Sequence, residues 1–162
     1  MNPTLLTLDD VLHAHSRVAG GVRVTPCAHS ARLSEWAGME IIAKIRAVAV
    51  GGVQPEYMGM GPVPATIKAL DRAGLFPDEL DVIELNEAFA SQAIACIREL
   101  KLDEARVNID GGALAIGHPL GATGARITGK AAMLLKREGG RYALATQCIG
   151  GGQGVATILE AV

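Results

Sequence analysis

The spacing of apolar and polar residues changes near residue 41 of this 162-residue chain. Beyond that point, short apolar runs of strand length alternate with stretches that have helical spacing. Strands are expected at residues 41–50, 82–85, 107–110, 142–146 and 155–160, and helices at 62–73, 87–100 and 125–137. This βαβαβαββ order predicts an α/β fold with a mixed, mostly parallel sheet, helices on its faces and a terminal antiparallel hairpin.

Two of the predicted helices differ in their apolar surface. The helix at 62–73 carries Ile67, Leu70 and Ala73 at helical spacing, and Gly74 is expected to end it. The helix at 87–100 is apolar nearly all round, which predicts burial on most of its sides.

The first 42 residues follow another pattern and hold three of the four histidines. We expect a helix that ends at Gly20, a strand at 22–25 and a short helix that ends at Gly38. Residues 1–42 are therefore interpreted as a short helical extension, and residues 43–162 as the domain proper.

Composition narrows the class of protein. Apolar residues make up 49% of the chain and charged residues 20%, as in ordinary globular proteins. A net charge of −2 without a basic cluster argues against nucleic-acid binding. The sequence contains no stretch of 18 apolar residues, so we expect no membrane span, and no leader pattern is evident at the start. Three cysteines favour a reducing, cytoplasmic setting over a disulfide framework.

Asn86 and Glu87 lie where a predicted strand turns into a helix. In α/β folds, side chains that leave the carboxyl end of a parallel strand face the usual functional site. An equally plausible interpretation is that Asn86 caps the helix, and the two roles are compatible.

The glycine-rich segment 111–124 contains His118, the only histidine after residue 42. Glycines allow the backbone to approach a substrate closely, and Pro119 fixes the chain beside the imidazole. His118 thus suits a general base or an oxyanion donor. The alternative is a phosphate-binding loop with an incidental histidine, although no P-loop lysine follows.

Cys148 leaves a predicted strand into a second glycine loop, 148–154, whose backbone N–H groups are suited to an oxyanion hole. A nearby imidazole would lower the pKa of its thiol. The alternative is a buried structural cysteine. Together, Cys148, His118 and Asn86 indicate acyl or carbonyl chemistry, and their spacing gives no closed metal site.

Four motifs carry a resemblance to a known family. They are MGMGPVPAT (58–66), ELNEAFASQ (84–92), NIDGGALAIGHPLGATGARI (108–127) and CIGGGQG (148–154). On these, the chain from about residue 43 onward resembles the carboxyl-terminal domain of thiolases, the acetyl-CoA acetyltransferases and 3-ketoacyl-CoA thiolases.

The resemblance implies a role for four residues. His118 would activate a nucleophilic cysteine and bind a thioester oxygen, and Cys148 would move a proton at the acyl α-carbon. The N–H of Gly150 would help to form an oxyanion hole, and Asn86 would hold a catalytic water. The implied reaction is Claisen condensation of acyl-CoA units or thiolysis of a 3-ketoacyl-CoA, with coenzyme A thioesters as substrates and no bound cofactor.

The resemblance also implies parts that this sequence does not display. A thiolase needs an amino-terminal half with the acylated cysteine, and Cys27 lacks the Ser-Gly that would follow that nucleophile. The chain alone is therefore expected to be inactive. Its expected partners are an acyl-CoA and either a separate amino-terminal half or a second copy bound through helix 87–100. The alternative is a non-catalytic remnant or interaction module with the same fold.

Residues 1–41 are similar instead to the start of pyridoxal-phosphate-dependent threonine/serine dehydratases. The similarity lies in LTLDDVLHAHSRVAGGVRVTPCAHSARLSEWAGMEI (6–41), with its R-x-TP strand and following short helix. No catalytic residue of that family is included, and Lys44 receives no Schiff-base role because Ile42 stands where the cofactor motif has serine. An unrelated helical extension is the alternative.

Overall fold

The computed structural model describes Gly38 and residues 41–162 of the chain. The helices and the strand expected within residues 1–37 lie outside the described residues. The strands are β1 (Ala43–Gly52), β2 (Val82–Leu85), β3 (Tyr142–Ile149) and β4 (Gln153–Ala161). The α-helices are α1 (Pro62–Ala73), α2 (Ala90–Leu100), α3 (Ala113–Ile116) and α4 (Thr123–Glu138), with short 3₁₀ helices at Pro55–Met60, Pro77–Glu79 and Glu104–Arg106.

The four strands form one mixed sheet in the order β1-β4-β3-β2. The expected α/β class and mixed sheet are confirmed, as is the terminal hairpin, in which β3 and β4 pair antiparallel. The balance of directions differs from the expectation, because β1 and β4 are also antiparallel and only β2 and β3 are parallel. The parallel pair aligns Leu85 with Thr146, so the carboxyl ends of β2 and β3 meet at one edge.

The expected strand at 107–110 is reduced to a single parallel bridge between Val107 and Ile83. The reason is Asn108, which adopts a left-handed backbone conformation with φ 48°. Its buried side chain accepts from the N–H of Leu85 at 3.0 Å and donates to the Leu85 carbonyl at 2.9 Å. The side-chain amide of Asn108 thus takes the place of the next pair of backbone hydrogen bonds to β2. The strand ends there, and the chain continues into the glycine-rich segment.

Helices cover both faces of the sheet. Residues of α1 and α2, including Leu70 and Cys96, share a core cluster with Leu144 and Ile158. On the opposite face, α4 packs with β2, β3 and β4 in a second cluster that contains Leu134 and Leu135. The three-layer arrangement buries apolar side chains on both faces of the sheet.

The bounds of α1 match the prediction, and its C-cap is Gly74 with φ 67°. The N–H of Leu75 bonds back to the Leu70 carbonyl at 3.0 Å, which completes a glycine-ended helix terminus. The predicted core face was partly wrong: Leu70 and Ala73 are buried, but Ile67 is 57% exposed. The buried stripe follows Val63, Thr66, Ala69, Leu70 and Ala73, whose spacing tracks the helix better.

Within the described residues, no helix combines the length and the apolar character needed to cross a bilayer.

Candidate functional site

A cleft of about 440 Å³ opens at the carboxyl ends of β2 and β3. It is lined by Met58, Ala88, Phe89, His118, Leu120, Gln147, Cys148, Ile149 and Gly150. Three of the four predicted site residues, His118, Cys148 and Gly150, thus lie on its wall. The fourth, Asn86, is not among the lining residues, but its side-chain amide contacts the imidazole of His118.

His118 is held from both sides of its ring. Its Nε2 lies 3.4 Å from Nδ2 of Asn86, and its Nδ1 lies 2.7 Å from Oγ1 of Thr123. The imidazole is only partly buried, so it remains open to the cleft. Two fixed contacts on a short loop place the ring in one orientation, as a general base requires.

Asn86 does not cap α2. That helix begins three residues later than predicted, at Ala90, and its N-cap is Phe89, which makes no side-chain cap bond. The Asn86 backbone N–H instead donates to the Thr146 carbonyl at 2.9 Å, which extends the parallel pairing by one residue. Its side chain is buried, and its Oδ1 has no hydrogen-bond donor among the described residues.

Cys148 lies within β3 and not on the loop that the sequence predicted. It pairs with Gly154, because the strand continues to Ile149 and the glycine loop is shortened to residues 150–152. Its side chain is buried, and burial raises the pKa of its thiol. Gly150 follows at the mouth of the cleft, where it is exposed and a methyl group would meet nothing within 4 Å.

The raised pKa of Cys148 has a measurable consequence. A thiol reacts as its thiolate, so we expect alkylation by iodoacetamide at pH 8 to be slower than for a free cysteine. The rate should keep rising as the pH passes the ordinary thiol range. Peptide-resolved mass spectrometry follows Cys148 separately from Cys96, which is fully buried and serves as the unreactive control. Rapid alkylation of Cys148 at pH 7 would contradict this expectation.

Glu87 organises the segment that carries His118, a role that the sequence analysis did not identify. Its carboxylate accepts from Nδ2 of Asn108 at 2.7 Å and from the backbone N–H of Leu114 at 2.9 Å. A methyl group on Gly112 would lie 2.5–2.6 Å from the Glu87 carboxylate, so this close approach requires glycine. Glu87 belongs to a motif that the sequence shows, but its two partners, Asn108 and Leu114, lie 21 and 27 residues farther along the chain.

This arrangement predicts coupled effects of substitution. Gly112→Ala should destabilise the chain, and Glu87→Ala should cost about 1–3 kcal/mol by leaving its donors unpaired. In the double variant, the added methyl group no longer meets a carboxylate, so the total cost should be smaller than the sum. Urea unfolding of the four variants measures the coupling, and strict additivity would contradict the contact.

A buried ion pair supports the same segment from the other face of the sheet. Nζ of Lys130 lies 3.6 Å from Oε1 of Glu84 and donates to the Gly111 carbonyl at 2.8 Å. Burial raises the pKa of Glu84, and the nearby Lys130 opposes that shift. Lys130 therefore links strand β2 to the first glycine of the segment.

An apolar surface surrounds the cleft. Phe89 is 58% exposed and Leu120 is 84% exposed, and both line the cleft itself. Farther along α2, Ile94 is 45% exposed, whereas Ala93 and Cys96 face the core. The prediction that this helix is buried on most sides is therefore wrong for the described residues, because part of its apolar surface is exposed. Exposed apolar patches of this kind mark interaction surfaces.

The apolar surface predicts a change in assembly. If self-association occurs through α2, Phe89→Asp should leave the chain monomeric by placing a charge in an apolar contact. The fold should tolerate this exposed substitution. Analytical ultracentrifugation measures the outcome, with Phe76→Asp, at a phenylalanine that is also exposed, as the matched control. A Phe89→Asp chain that associates as the original does would rule out this face.

Across residues 41–162, no group of three or more His, Cys, Asp or Glu side chains is arranged to hold a metal ion. Cys96 is also unsuited to reaction. Its thiol contacts the Gly59 carbonyl at 3.4 Å inside the core, and burial raises its pKa. Cys27 lies outside the described residues.

Comparison with known proteins identifies the family. The profile described as thiolase, C-terminal domain, matches residues 39–161. The chain is 54% identical over 135 residues to the 3-oxoadipyl-CoA/3-oxo-5,6-dehydrosuberyl-CoA thiolase of Escherichia coli strain K12, which covers 82% of this chain and 34% of that protein. It is 44% identical to a 3-ketoacyl-CoA thiolase of Vibrio cholerae, over 97% of this chain and 48% of that protein.

The fold agrees with the sequence match. The crystal structure of human mitochondrial 3-ketoacyl-CoA thiolase superposes with a TM-score of 0.78 at 45% identity, over 82% of this chain and 34% of that one. The chain thus spans about a third to a half of the length of these relatives. None of the relatives named here is a dehydratase, so the dehydratase resemblance of residues 1–41 stays a prediction.

Proposed function

Because this chain belongs to the thiolase family, whose carboxyl-terminal domain it carries, we propose that residues 43–162 supply one half of an active site for acyl-CoA thioesters. The observation that carries the proposal is the juxtaposition in one cleft of His118, Cys148 and Gly150, with Asn86 against the imidazole. Residues from the ends of two neighbouring strands and from the glycine-rich segment 111–124 converge there.

In the proposed reaction, Cys148 acts as the base at the acyl α-carbon. Its thiolate takes a proton from an acyl-CoA, and the resulting carbanion attacks the acyl group held on a second cysteine. The new carbon–carbon bond forms as the bond to that cysteine breaks, which releases a 3-ketoacyl-CoA. Thiolysis is the reverse. Burial, which raises the pKa of the Cys148 thiol, also makes its thiolate a stronger base.

The other three residues stabilise charge and move a proton. His118 takes the proton of the second cysteine as that cysteine becomes a nucleophile. Oδ1 of Asn86, which has no donor among the described residues, would hold a water, and the N–H of Gly150, a residue that lines the cleft, would bind the oxygen on which negative charge develops.

The acylated cysteine must come from a region beyond the described residues. Cys96 is enclosed in the core, and Cys148 is assigned to the proton transfer. The exposed apolar surface around Phe89 and Leu120 is where we place the complementary half, because it borders the cleft directly. Whether that half belongs to the same polypeptide or to another chain, the site is complete only with it.

A complementation assay tests this function. The full chain is mixed or co-expressed with the amino-terminal two thirds of the E. coli relative, and thiolysis of acetoacetyl-CoA by coenzyme A is followed. Activity is expected only from the pair and not from either part alone. Cys148→Ala should abolish it, and Cys96→Ala serves as the matched control. A soluble complex without activity would contradict the catalytic proposal.

The second candidate function is a non-catalytic interaction module of the same fold. The exposed apolar face of α2 favours it, because such a face binds a partner whether or not chemistry follows. In that case Phe89→Asp would abolish binding, while Cys148→Ala would leave binding unchanged.

A pyridoxal-phosphate enzyme is the remaining hypothesis for residues 1–41, and absorbance of the bound cofactor after incubation of the chain with pyridoxal phosphate would support it. We place the protein in the cytoplasm.

A further inference from the structure

The two ring nitrogens of His118 have different partners, and the difference bears on which one carries the proton. Nε2 faces Nδ2 of Asn86 at 3.4 Å, and Nδ1 faces Oγ1 of Thr123 at 2.7 Å. A neutral imidazole has one N–H and one lone pair, so each contact fixes the direction of the other. The hydroxyl of Thr123 can donate or accept a hydrogen bond, and its other contact decides which of the two it does toward His118.

Thr123 has another acceptor for its single hydroxyl proton. Its Oγ1 lies 3.0 Å from the carbonyl of Pro119, four residues earlier. A threonine in a helix commonly donates to the carbonyl of residue i−4 in this way. Thr123 is completely buried, so water does not compete for the proton.

We propose that Thr123 is a positioning residue that accepts a hydrogen bond from Nδ1–H of His118 and thereby fixes the imidazole as the Nδ1–H tautomer. The juxtaposition of Thr123 Oγ1, Pro119 O and His118 Nδ1 carries this inference. Its catalytic consequence rests on the proposed function. The lone pair then resides on Nε2, where it accepts from Nδ2 of Asn86 at 3.4 Å, and a nucleophile delivers its proton there by displacing that contact.

The same contact also serves the protonated state. When Nε2 takes a proton, both nitrogens become donors, and Nδ1–H keeps its acceptor. The ring therefore gains and loses a proton at Nε2, where the contact with Nδ2 of Asn86 is lost on protonation, while the Thr123 contact at Nδ1 stays in place. Arg126 holds the loop independently, since its guanidinium donates to the Gly117 carbonyl at 2.8 Å. Loss of the Thr123 hydroxyl should accordingly change the ring more than the loop.

Nitrogen-15 NMR of the labelled full chain at pH 8 tests the tautomer directly. The nitrogen-15 shifts distinguish the ring nitrogen that carries a hydrogen from the one that carries a lone pair. The signals of His118 are those that disappear in His118→Asn. We expect protonation at Nδ1. Protonation mainly at Nε2 would overturn the proposal, and this measurement needs no variant of Thr123 to fold.

Three substitutions then separate positioning from stability. Thr123→Val removes the acceptor and should shift His118 toward Nε2–H, whereas Thr123→Ser keeps it and should preserve Nδ1–H. Thr128→Val is the matched control, because Thr128 makes the same i−4 bond in α4, to the Gly124 carbonyl at 2.7 Å, without touching His118. An unchanged tautomer in Thr123→Val would overturn the proposal.

In the complemented enzyme, Thr123→Val should lower kcat by about 10–100-fold with little change in KM. Thr123→Ser should restore most of the rate, and Thr128→Val should stay within about twofold of the original. Equal losses in Thr123→Val and Thr128→Val would overturn the positioning role. If the original chain gives no thiolysis at all, the proposed function fails, while the tautomer of the chain is still decided by NMR.

Discussion

Replacing Gly154 by alanine is expected to prevent stable folding of residues 43–162. A methyl group there would lie 2.1 Å from the carbonyl carbon and oxygen of Gly61 and 2.6 Å from the nitrogen of Pro62. The contact is reciprocal, since a methyl group on Gly61 would lie 2.2 Å from the Gln153 carbonyl oxygen. Here the start of α1 sits directly on the backbone of β4, and neither can move without disturbing the core.

The size of this effect follows from what must shift. Overpacking a core usually costs about 1–3 kcal/mol, and we expect a larger cost here because a clash between two backbones leaves no flexible side chain to move away. Since domains are stable by only about 5–15 kcal/mol, Gly154→Ala should remove much or all of that margin. Thermal unfolding followed by circular dichroism measures the loss.

Gly129→Ala provides the matched control. Gly129 lies in α4, where a methyl group meets nothing within 4 Å, and alanine favours a helix over glycine by about 0.5–1 kcal/mol. This variant should unfold at the same or a higher temperature. A Gly154→Ala chain as stable as Gly129→Ala would show that α1 does not approach β4 as described.

His118→Asn should abolish the activity of the complemented enzyme. Asparagine is polar and of similar reach, but it cannot take up a proton at neutral pH, so general-base catalysis is lost. Such catalysis contributes about 10²–10⁴-fold, and the rate of acetoacetyl-CoA thiolysis should fall by at least that range. Because the imidazole is only partly buried, the unfolding temperature should change little. Activity within tenfold of the original would remove His118 from the mechanism.

Regular elements of the fold were predictable where local pattern and end signals agreed. The bounds of α1 and β2 follow from Pro62, Gly74 and a short apolar run. The reduction of the expected strand at 107–110 to a single bridge was not predictable, because the left-handed conformation of Asn108 and its bonds to Leu85 are set by tertiary contacts. The same applies to the predominance of antiparallel pairing, since β1 reaches the sheet edge across 100 residues of sequence.

The candidate site was likewise predictable only in part. The chemical types at Asn86, His118 and Cys148 stand out against glycine and apolar neighbours, so the sequence alone points to them. Their partners do not, because Thr123 looks like an ordinary helix start and Glu87 acts on residues far along the chain. Support of this kind is visible only once the loop and the helix are brought together.

The most direct test of the central claim is activity in a covalent chimera. Residues 39–161 replace the matching region of the E. coli relative, so that association of two parts no longer limits the result. We predict that the chimera catalyses thiolysis of acetoacetyl-CoA and that Cys148→Ala abolishes it. A folded chimera that is inactive beside an active parent, or one whose activity survives Cys148→Ala, would contradict the assignment of this cleft as half of a thiolase site.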